Sequence, residues 1–322
     1  MKAVWIEQPG GPDVLRFGDR PLPEPGLGEA LIKIAATGVN YTDISQRSGS
    51  NKIPLPAVLG SEGAGTVESV GAGVDNFEPG DRVAYAMVRG SYAEYAAVPS
   101  KMLVKIPEGI DFRTAAAAML QGMTAHYLSH STFPLKAGHT ALVHAAAGGT
   151  GRLLVQMAVM LGARVIATAG TEAKAALARE AGASDAILYG EQDWVQELKA
   201  LTGGEGIDVI YDSVGQATFT KGLDCLKMRG MMVHFGQSSG PVPPFDTRAL
   251  SAKGSLYLAR PTLTSHIAKA DELAWRAGDV FRWIAEGKIK LRIEREYPLA
   301  DTERAHRELE GRMTSGKIVL RT

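Results

Sequence analysis

Residues 140–151 read Thr-Ala-Leu-Val-His-Ala-Ala-Ala-Gly-Gly-Thr-Gly, a β-prone apolar run that enters a turn made almost wholly of small side chains. An apolar helical pattern over 151–161 follows at once. The spacing Ala-x-x-Gly-x-x-Gly (Ala145, Gly148, Gly151) suits one task. A pyrophosphate must approach the backbone closely, the helix start must pack tightly on the strand, and the free amides there, aided by the helix dipole, bind the anion. A glycine-rich turn also arises wherever a strand simply packs on a helix, so the motif needs its strand-turn-helix context, which is present. No Gly-Lys-Ser/Thr ending follows, and a nucleotide-hydrolysing loop is not supported.

The choice of dinucleotide depends on the tip of the next strand, where NAD sites place Asp or Glu for the adenosine ribose. Here the segment reads Ala167-Thr168-Ala169-Gly170-Thr171-Glu172-Ala173-Lys174. The tip is small and neutral, and Lys174 falls in the first turn of the following helix, where an ammonium can neutralise a 2′-phosphate. That favours NADPH, with Glu172 as the rival ribose ligand should the register shift.

These residues need a scaffold. From 123 to 261 the chain alternates strand and helix, with strands expected at 140–145, 164–169, 185–189, 207–212, 230–236 and 255–259. Helical patterns at 151–161, 171–181 and 193–201 lie between them. The rhythm implies an α/β, doubly wound parallel sheet with helices on both faces. Residues 1–122 carry short β-prone runs broken by Gly and Pro, as in an all-β, barrel-like unit. After Pro261 one or two helices and a final strand at 317–320 are expected, and 262–322 is read as returning to complete the first domain.

With 322 residues, about two domains fit the usual ~150 residues each. Lys plus Arg equals Asp plus Glu, no basic run stands out, and dedicated nucleic-acid binding is disfavoured. The longest apolar stretch, 153–170, is broken by Gln156, Gly162 and Arg164, so no membrane span of ~20 residues is expected. The first residues show no export signal. Cys225 is the single cysteine, which forbids an internal disulfide and a Cys-rich zinc site, and it reads as core. The seven histidines read as scattered, with no pair at metal-ligand spacing, and only His144 lies near the chemistry. A cytoplasmic location is the expectation.

The segments Asn40-Tyr41-Thr42-Asp43, Gly60-Ser61-Glu62-Gly63-Ala64-Gly65, Pro79-Gly80-Asp81-Arg82-Val83, Tyr211-Asp212-Ser213-Val214-Gly215 and Phe235-Gly236-Gln237-Ser238, with the Ala145–Gly151 turn, resemble the medium-chain dehydrogenase/reductase superfamily. The closer resemblance is to its zinc-free quinone oxidoreductase (zeta-crystallin-like) branch, over essentially the whole chain. It implies a GroES-like β-rich domain with a Rossmann domain inserted, and NADPH in the cleft between them. By the same resemblance Asn40 and Thr124 lie near the nicotinamide and its ribose, and Gly148, Gly149, Thr150 and Gly151 hold the pyrophosphate. Gly170, Thr171, Lys174 and Tyr189 surround the adenosine phosphate, and Ser213 meets the adenine ribose. Phe235, Gly236 and Ser238 line the nicotinamide side, and Arg312 reaches a phosphate from the tail.

Zinc members of the superfamily use Cys, His and Cys or Asp/Glu around an open position. Asn40 and Ser61 stand where the first Cys and the His would be, and no thiolate appears near Gln121, so no metal is expected. Without a Lewis acid, hydride delivery to a quinone is favoured over alcohol oxidation, the protein supplying orientation and a dry cleft. Water or Tyr41 is the expected proton source, making Asn40, Tyr41 and Thr124 the catalytic candidates. The alternatives are an enone or alkenal reductase, or a non-enzymatic protein binding NADPH or AU-rich RNA. Relatives often carry tyrosines where Ser45 and Asn51 stand here, which leaves the acceptor open. The β-prone segment 254–260 is expected at a sheet edge, where pairing with its copy would give a homodimer.

Overall fold

The computed structural model describes residues 1–190 and 193–322. By contact density the chain forms two compact units, Met1–Met123 with His266–Thr322, and Thr124–Ser265.

The first leg supplies β1 (Lys2–Ile6), β2 (Arg16–Asp19), β3 (Glu29–Val39), α1 (Tyr41–Ser48), β4 (Ala57–Val58), β5 (Glu62–Val70), β6 (Arg82–Ala86), β7 (Tyr95–Pro99), β8 (Val104–Lys105) and α2 (Phe112–Tyr127). The middle supplies β9 (Thr140–Val143), α3 (Gly149–Met160), β10 (Arg164–Ala169), α4 (Glu172–Glu180), β11 (Asp185–Leu188) and α5 (Trp194–Leu201). It continues with β12 (Ile207–Asp212), α6 (Phe219–Gly222), β13 (Leu226–His234), α7 (Arg248–Ala252) and β14 (Tyr257–Ala259). The return leg adds α8 (Leu263–His266), α9 (Ala270–Ala285), β15 (Ile293–Pro298), α10 (Thr302–Glu310) and β16 (Lys317–Arg321).

In the middle unit the six strands are all parallel, in the order β11-β10-β9-β12-β13-β14. This is the doubly wound order, reversing between β9 and β12, so every strand ends at one edge. The central strands β9, β10 and β12 are buried on both faces and read as nearly continuous apolar runs for that reason. Leu142, Ile166, Ile210 and Met232 pack there against Trp194, Leu198 and Phe219.

In the other unit β3 is the central strand. It pairs with β16 at one end, β7 at the other and β5 along its length, while β15 lies parallel outside β16. A separate small sheet, β2-β1-β4, completes the β content. The all-β expectation for residues 1–122 needs correction, because α1 and most of α2 lie within it. Helix α1 begins where the Asp43 carboxylate accepts the Asn40 backbone N–H at 2.8 Å, half of a capping box within the Asn-Tyr-Thr-Asp segment. The return leg also holds β15, which the sequence pattern missed. Its Ile-Glu-Arg-Glu-Tyr-Pro lacks an apolar alternation and closes on proline. Helix α9 is the most legible of the return elements: Leu273, Ala277, Val280 and Phe281 recur at helical spacing and are buried.

Candidate functional site

The carboxyl edge of the parallel sheet gathers the nucleotide-site candidates. Leaving β9, the chain reaches Ala145 in the left-handed region (φ 51°), and the Gly148 amide bonds back to the Ala145 carbonyl at 2.9 Å. Gly148 is the extended residue that precedes α3. The amides of Gly149, Thr150 and Gly151 open that helix and have no intrahelical acceptor, as at any helix start. A Cβ on Gly151 would lie 2.5 Å from the Ala145 carbonyl oxygen and 2.9 Å from the Ala146 Cα. Close helix-strand approach is thus a backbone requirement here.

At the tip of β10, Gly170 lies at the hydroxyl end of Tyr189, and a Cβ there would stand 2.8 Å from the phenol oxygen. Thr171 caps α4 by accepting the Lys174 amide at 3.3 Å, which puts Lys174 in the first helical turn. Glu172 bonds to Arg179 at 2.6 Å, on the helix surface. The structure therefore brings Gly170, Thr171, Lys174 and Tyr189 together.

Past β12, Asp212 Oδ1 accepts the amides of Val214 (2.7 Å) and Gly215 (3.0 Å) and the Thr218 hydroxyl (2.9 Å), fixing the turn that carries Ser213. Past β13, the Phe235 amide donates to the Asp212 carbonyl and the Ser238 amide to the Ser213 carbonyl. A Cβ on Gly236 would lie 2.8 Å from the Ser213 carbonyl oxygen. Ser213, Phe235, Gly236 and Ser238 thus share one neighbourhood. Thr124 is buried on α2.

Beneath these turns lies a polar group that sequence reasoning largely missed. His144, Asp212 and His234 are buried, and His144 Nε2, Asp212 Oδ2 and His234 Nδ1 have no hydrogen-bond partner among the described residues. Burial holds both imidazoles below the ordinary histidine range.

The other unit holds Asn40, Tyr41 and Arg312. Tyr41 opens α1 and donates its hydroxyl to the Leu309 carbonyl at 3.0 Å. Arg312 follows α10 in the left-handed region (φ 55°). Asn40 is 4% exposed and sits in a cluster of buried polar side chains. Its Nδ2 donates to Glu62 Oε1 (2.7 Å) and its Oδ1 accepts from Lys317 Nζ (2.7 Å). Lys317 also bonds Glu62 Oε1, and Glu62 Oε2 accepts the Leu120 amide at 2.7 Å.

A second branch converges on Asp43, fully buried one turn into α1. Ser61 Oγ donates to Oδ1 at 2.5 Å, while the Asn40 amide (2.8 Å) and Tyr92 hydroxyl (3.0 Å) share Oδ2. Burial raises Asp43 to about 6 against the pull of those donors. Beyond Tyr92 lies His306, 3.2 Å away through Nε2, and its Nδ1 meets the Arg47 guanidinium at 3.3 Å. Arginine only donates, so Nδ1 is the acceptor and Nε2 carries the proton in the neutral ring. Tyr92 accepts that proton's bond and donates onward to Asp43. The chain of donors starts at a cation that cannot lose a proton, so it orients groups and is no route for a proton from solvent.

Burial, then the Arg47 charge, lowers His306 to about 3, well under its unfolded 6.5. A depressed histidine contributes stability above pH 6.5 that is lost as pH falls toward 3. Asp43 has the opposite sign, its contribution lost as pH rises through about 6. Going from pH 7.5 to 5, His306 alone is expected to cost the fold about 2 kcal/mol. Denaturant titrations at both pH values should show His306→Gln losing about 2 kcal/mol less than the parent over that interval. Equal losses would contradict the neutral His306.

Neither Lys317 nor Asp43 announced itself in the sequence. Lys317 is a lone cation opening the apolar strand Lys-Ile-Val-Leu, and Asp43 was noted only as the last residue of the Asn40–Asp43 segment, with no role of its own. The reading of the histidines as scattered is also corrected: His126 and His130 are four apart and their rings stack at 4.3 Å. They lie where α2 passes into a turn of wider π-helical backbone, Leu128–Thr132. Among the described residues no group of three or more His, Cys, Asp or Glu side chains is placed to hold a metal ion. Cys225 is buried in the core, which pushes its thiol up to about 12.

Residues 26–108 match the alcohol dehydrogenase GroES-like domain, and residues 149–272 match the zinc-binding dehydrogenase family. The chain belongs to the medium-chain dehydrogenase/reductase superfamily, in its quinone oxidoreductase branch. A quinone oxidoreductase of Pseudomonas aeruginosa is 44% identical over 321 residues, covering 99% of each chain. The crystal structure of Escherichia coli quinone oxidoreductase complexed with NADPH superposes with a TM-score of 0.98 at 41% identity, covering all of both chains. A Burkholderia 2-haloacrylate reductase is 38% identical over 331 residues, covering 99% of this chain and 98% of its own.

Proposed function

We propose that this protein is an NADPH-dependent quinone oxidoreductase that works without zinc. The observation that carries the cofactor reading is the tip of β10. It offers a glycine beside the Tyr189 hydroxyl, a capping threonine and Lys174 in the first turn of α4, while the carboxylate of Glu172 is held by Arg179. An NAD site would instead aim a carboxylate at the ribose. The full-length likeness to quinone oxidoreductases, one of them complexed with NADPH, supports the same reading.

On this reading the amides of Gly149, Thr150 and Gly151 hold the pyrophosphate, aided by the dipole of α3. Gly170, Thr171, Lys174 and Tyr189 hold the adenosine phosphate, and Ser213 the adenine ribose. Thr124, Phe235, Gly236 and Ser238 are the nicotinamide-side candidates of that unit. Asn40 is the corresponding candidate of the other unit, and Arg312 a phosphate ligand. NADPH, when bound, supplies the hydride. The protein's task is orientation and exclusion of water, since an electron-poor acceptor needs no Lewis acid. The Tyr41 hydroxyl is engaged by Leu309, which favours water over Tyr41 as the source of the proton that completes reduction.

Zinc does not fit the polar centre around Asn40. The positions of the family's first two ligands hold an amide and a hydroxyl, Ser61 being bound to Asp43, and the Lys317 ammonium stands 2.7 Å from the Asn40 oxygen. A fixed cation in hydrogen-bond contact repels a second one. No helix of the described residues is long and apolar enough to cross a membrane. The proposal extends to a cytoplasmic enzyme with no nucleic-acid partner, in keeping with its zero net charge. It also extends to a homodimer through β14, an edge strand whose Tyr257 (55%) and Leu258 (37%) are exposed.

One preparation tests these statements. Protein dialysed against a chelator should oxidise NADPH with 1,4-benzoquinone or 9,10-phenanthrenequinone at an undiminished rate, and light scattering should give about twice the chain's 34.2 kDa. An alkenal is the second acceptor to try, because the 2-haloacrylate reductase among the relatives is named for an activated alkene. No turnover with any of the three overturns the assignment. Lys174→Ala should weaken NADPH roughly 10- to 100-fold and leave NADH unchanged, the worth of one charge-assisted contact.

A further inference from the structure

We infer that Lys317 and Glu62 are positioning residues that lock the Asn40 side-chain amide in one orientation across a glycine window in β3. The register of the sheet builds the arrangement. Strand β3 lies between β16 and β5, with Ile318 opposite Val39 on one side and Gly63 opposite Thr37 on the other. One step further along, Lys317 and Glu62 flank the Gly38–Asn40 segment from either side. Gly38 has no side chain to separate them: a Cβ there would lie 2.5 Å from the Lys317 Cε and inside contact distance of Glu62 Oε1. The two charges meet over that gap, and both are at most 1% exposed.

Each charge recognises a different end of the amide. A carboxylate accepts only, so Glu62 takes Nδ2–H; an ammonium donates only, so Lys317 takes Oδ1. Turning the amide over would set donor against donor and acceptor against acceptor, at two charge-assisted contacts together. The remaining contacts of the amide are long, 3.3 Å to the Gly38 carbonyl and 3.5 Å from the Gln121 amide. The second N–H and the second lone pair are therefore the more weakly held, and their directions are set by the two short bonds. The Leu120 amide on Glu62 Oε2 fixes the carboxylate in turn. A ligand arriving at Asn40 meets a donor and an acceptor already aimed.

The inference rests on the proposed reaction only for its catalytic consequence, and the test separates the two. The chain has three asparagines, and Asn51 and Asn76 are exposed, so selective 15N-asparagine labelling isolates the Asn40 amide as the buried pair. In the full-length parent that pair should exchange with solvent at least about tenfold more slowly than the other two. Glu62→Gln and Gly38→Ala should release it to fast exchange, and Lys317→Arg, which keeps the cation, should retain it. In steady-state NADPH oxidation with a quinone, the first two variants should lose roughly 10- to 100-fold in kcat with the NADPH KM moving less than about threefold. Lys317→Arg should stay within about threefold of the parent.

A fast-exchanging Asn40 pair in the parent overturns the inference, whether or not the variants fold. So does activity that falls only in step with the folded fraction while the Asn40 signal stays protected. A protected pair in a parent that never oxidises NADPH refutes the functional reading and leaves the clamp standing.

Discussion

Replacing Gly151 with alanine is expected to destabilise the protein by about 2–4 kcal/mol and to weaken NADPH binding at least tenfold. The added Cβ meets the Ala145 carbonyl oxygen at 2.5 Å and the Ala146 Cα at 2.9 Å, both backbone atoms that have no rotamer to move to. Relief requires the start of α3 to back away from the turn after β9. That motion also withdraws the amides of Gly149, Thr150 and Gly151 from any anion they face, so stability and affinity fall together. Gly278→Ala is the control. It lies within α9, a Cβ there meets nothing within 4 Å, and helix propensity alone predicts a gain of up to about 1 kcal/mol. Thermal unfolding and fluorescence titration with NADPH read both effects. Unchanged affinity for Gly151→Ala would remove this turn from the cofactor site.

Asp43→Leu is expected to lower the melting temperature by about 10 °C or more, equivalent to at least ~4 kcal/mol in a unit of this size. The substitution removes the acceptor of three buried donors at once: Ser61 Oγ, Tyr92 Oη and the Asn40 amide. Each buried donor left without a partner costs about 1–3 kcal/mol, and the first turn of α1 loses its capping contact as well. Asp43→Asn separates shape from charge. Its carbonyl can still serve Asn40 and Tyr92, and its amide can donate to Ser61, so the loss should stay near 1–2 kcal/mol. Because burial holds the native carboxyl near 6, the asparagine variant should also lack the parent's relative gain in stability as pH falls from 6 toward 4. Chemical denaturation at pH 7.5, 6 and 4.5 checks both statements.

How far the sequence revealed this molecule depends on which interaction shaped each part. The parallel sheet was legible because its central strands are buried on both faces and its helices alternate with the strands. The expected strands at 164–169 and 207–212 coincide with β10 and β12, and the small-residue turn lies where its spacing put it. Ends set by packing drifted: β13 starts at Leu226, four residues ahead of the expected 230. Strand β15 escaped because its pairing with β16 places charged side chains outward, leaving no apolar signal. The polar cluster around Asn40 was the hardest to see. Lys317 is 277 residues from Asn40 in sequence, and their contact exists only because β16 pairs with β3. Local pattern carries no trace of such a partner; the segments that carry the family resemblance contain Asn40, Asp43, Ser61 and Glu62, but not Lys317.

Strand β16 sits between β15 and β3, and it carries the ammonium that meets Asn40. During translation the β3 edge waits about 280 residues for its neighbour, which at 5–20 residues per second is roughly 15–60 s on the ribosome. For that interval an apolar strand edge and the buried carboxylate of Glu62 lack their partners, while the residues between are still being made. Nascent chains should therefore depend on a holding chaperone until Lys317 emerges. A premature stop anywhere upstream of it should yield a polypeptide destined for proteolysis, however intact its nucleotide-binding segment.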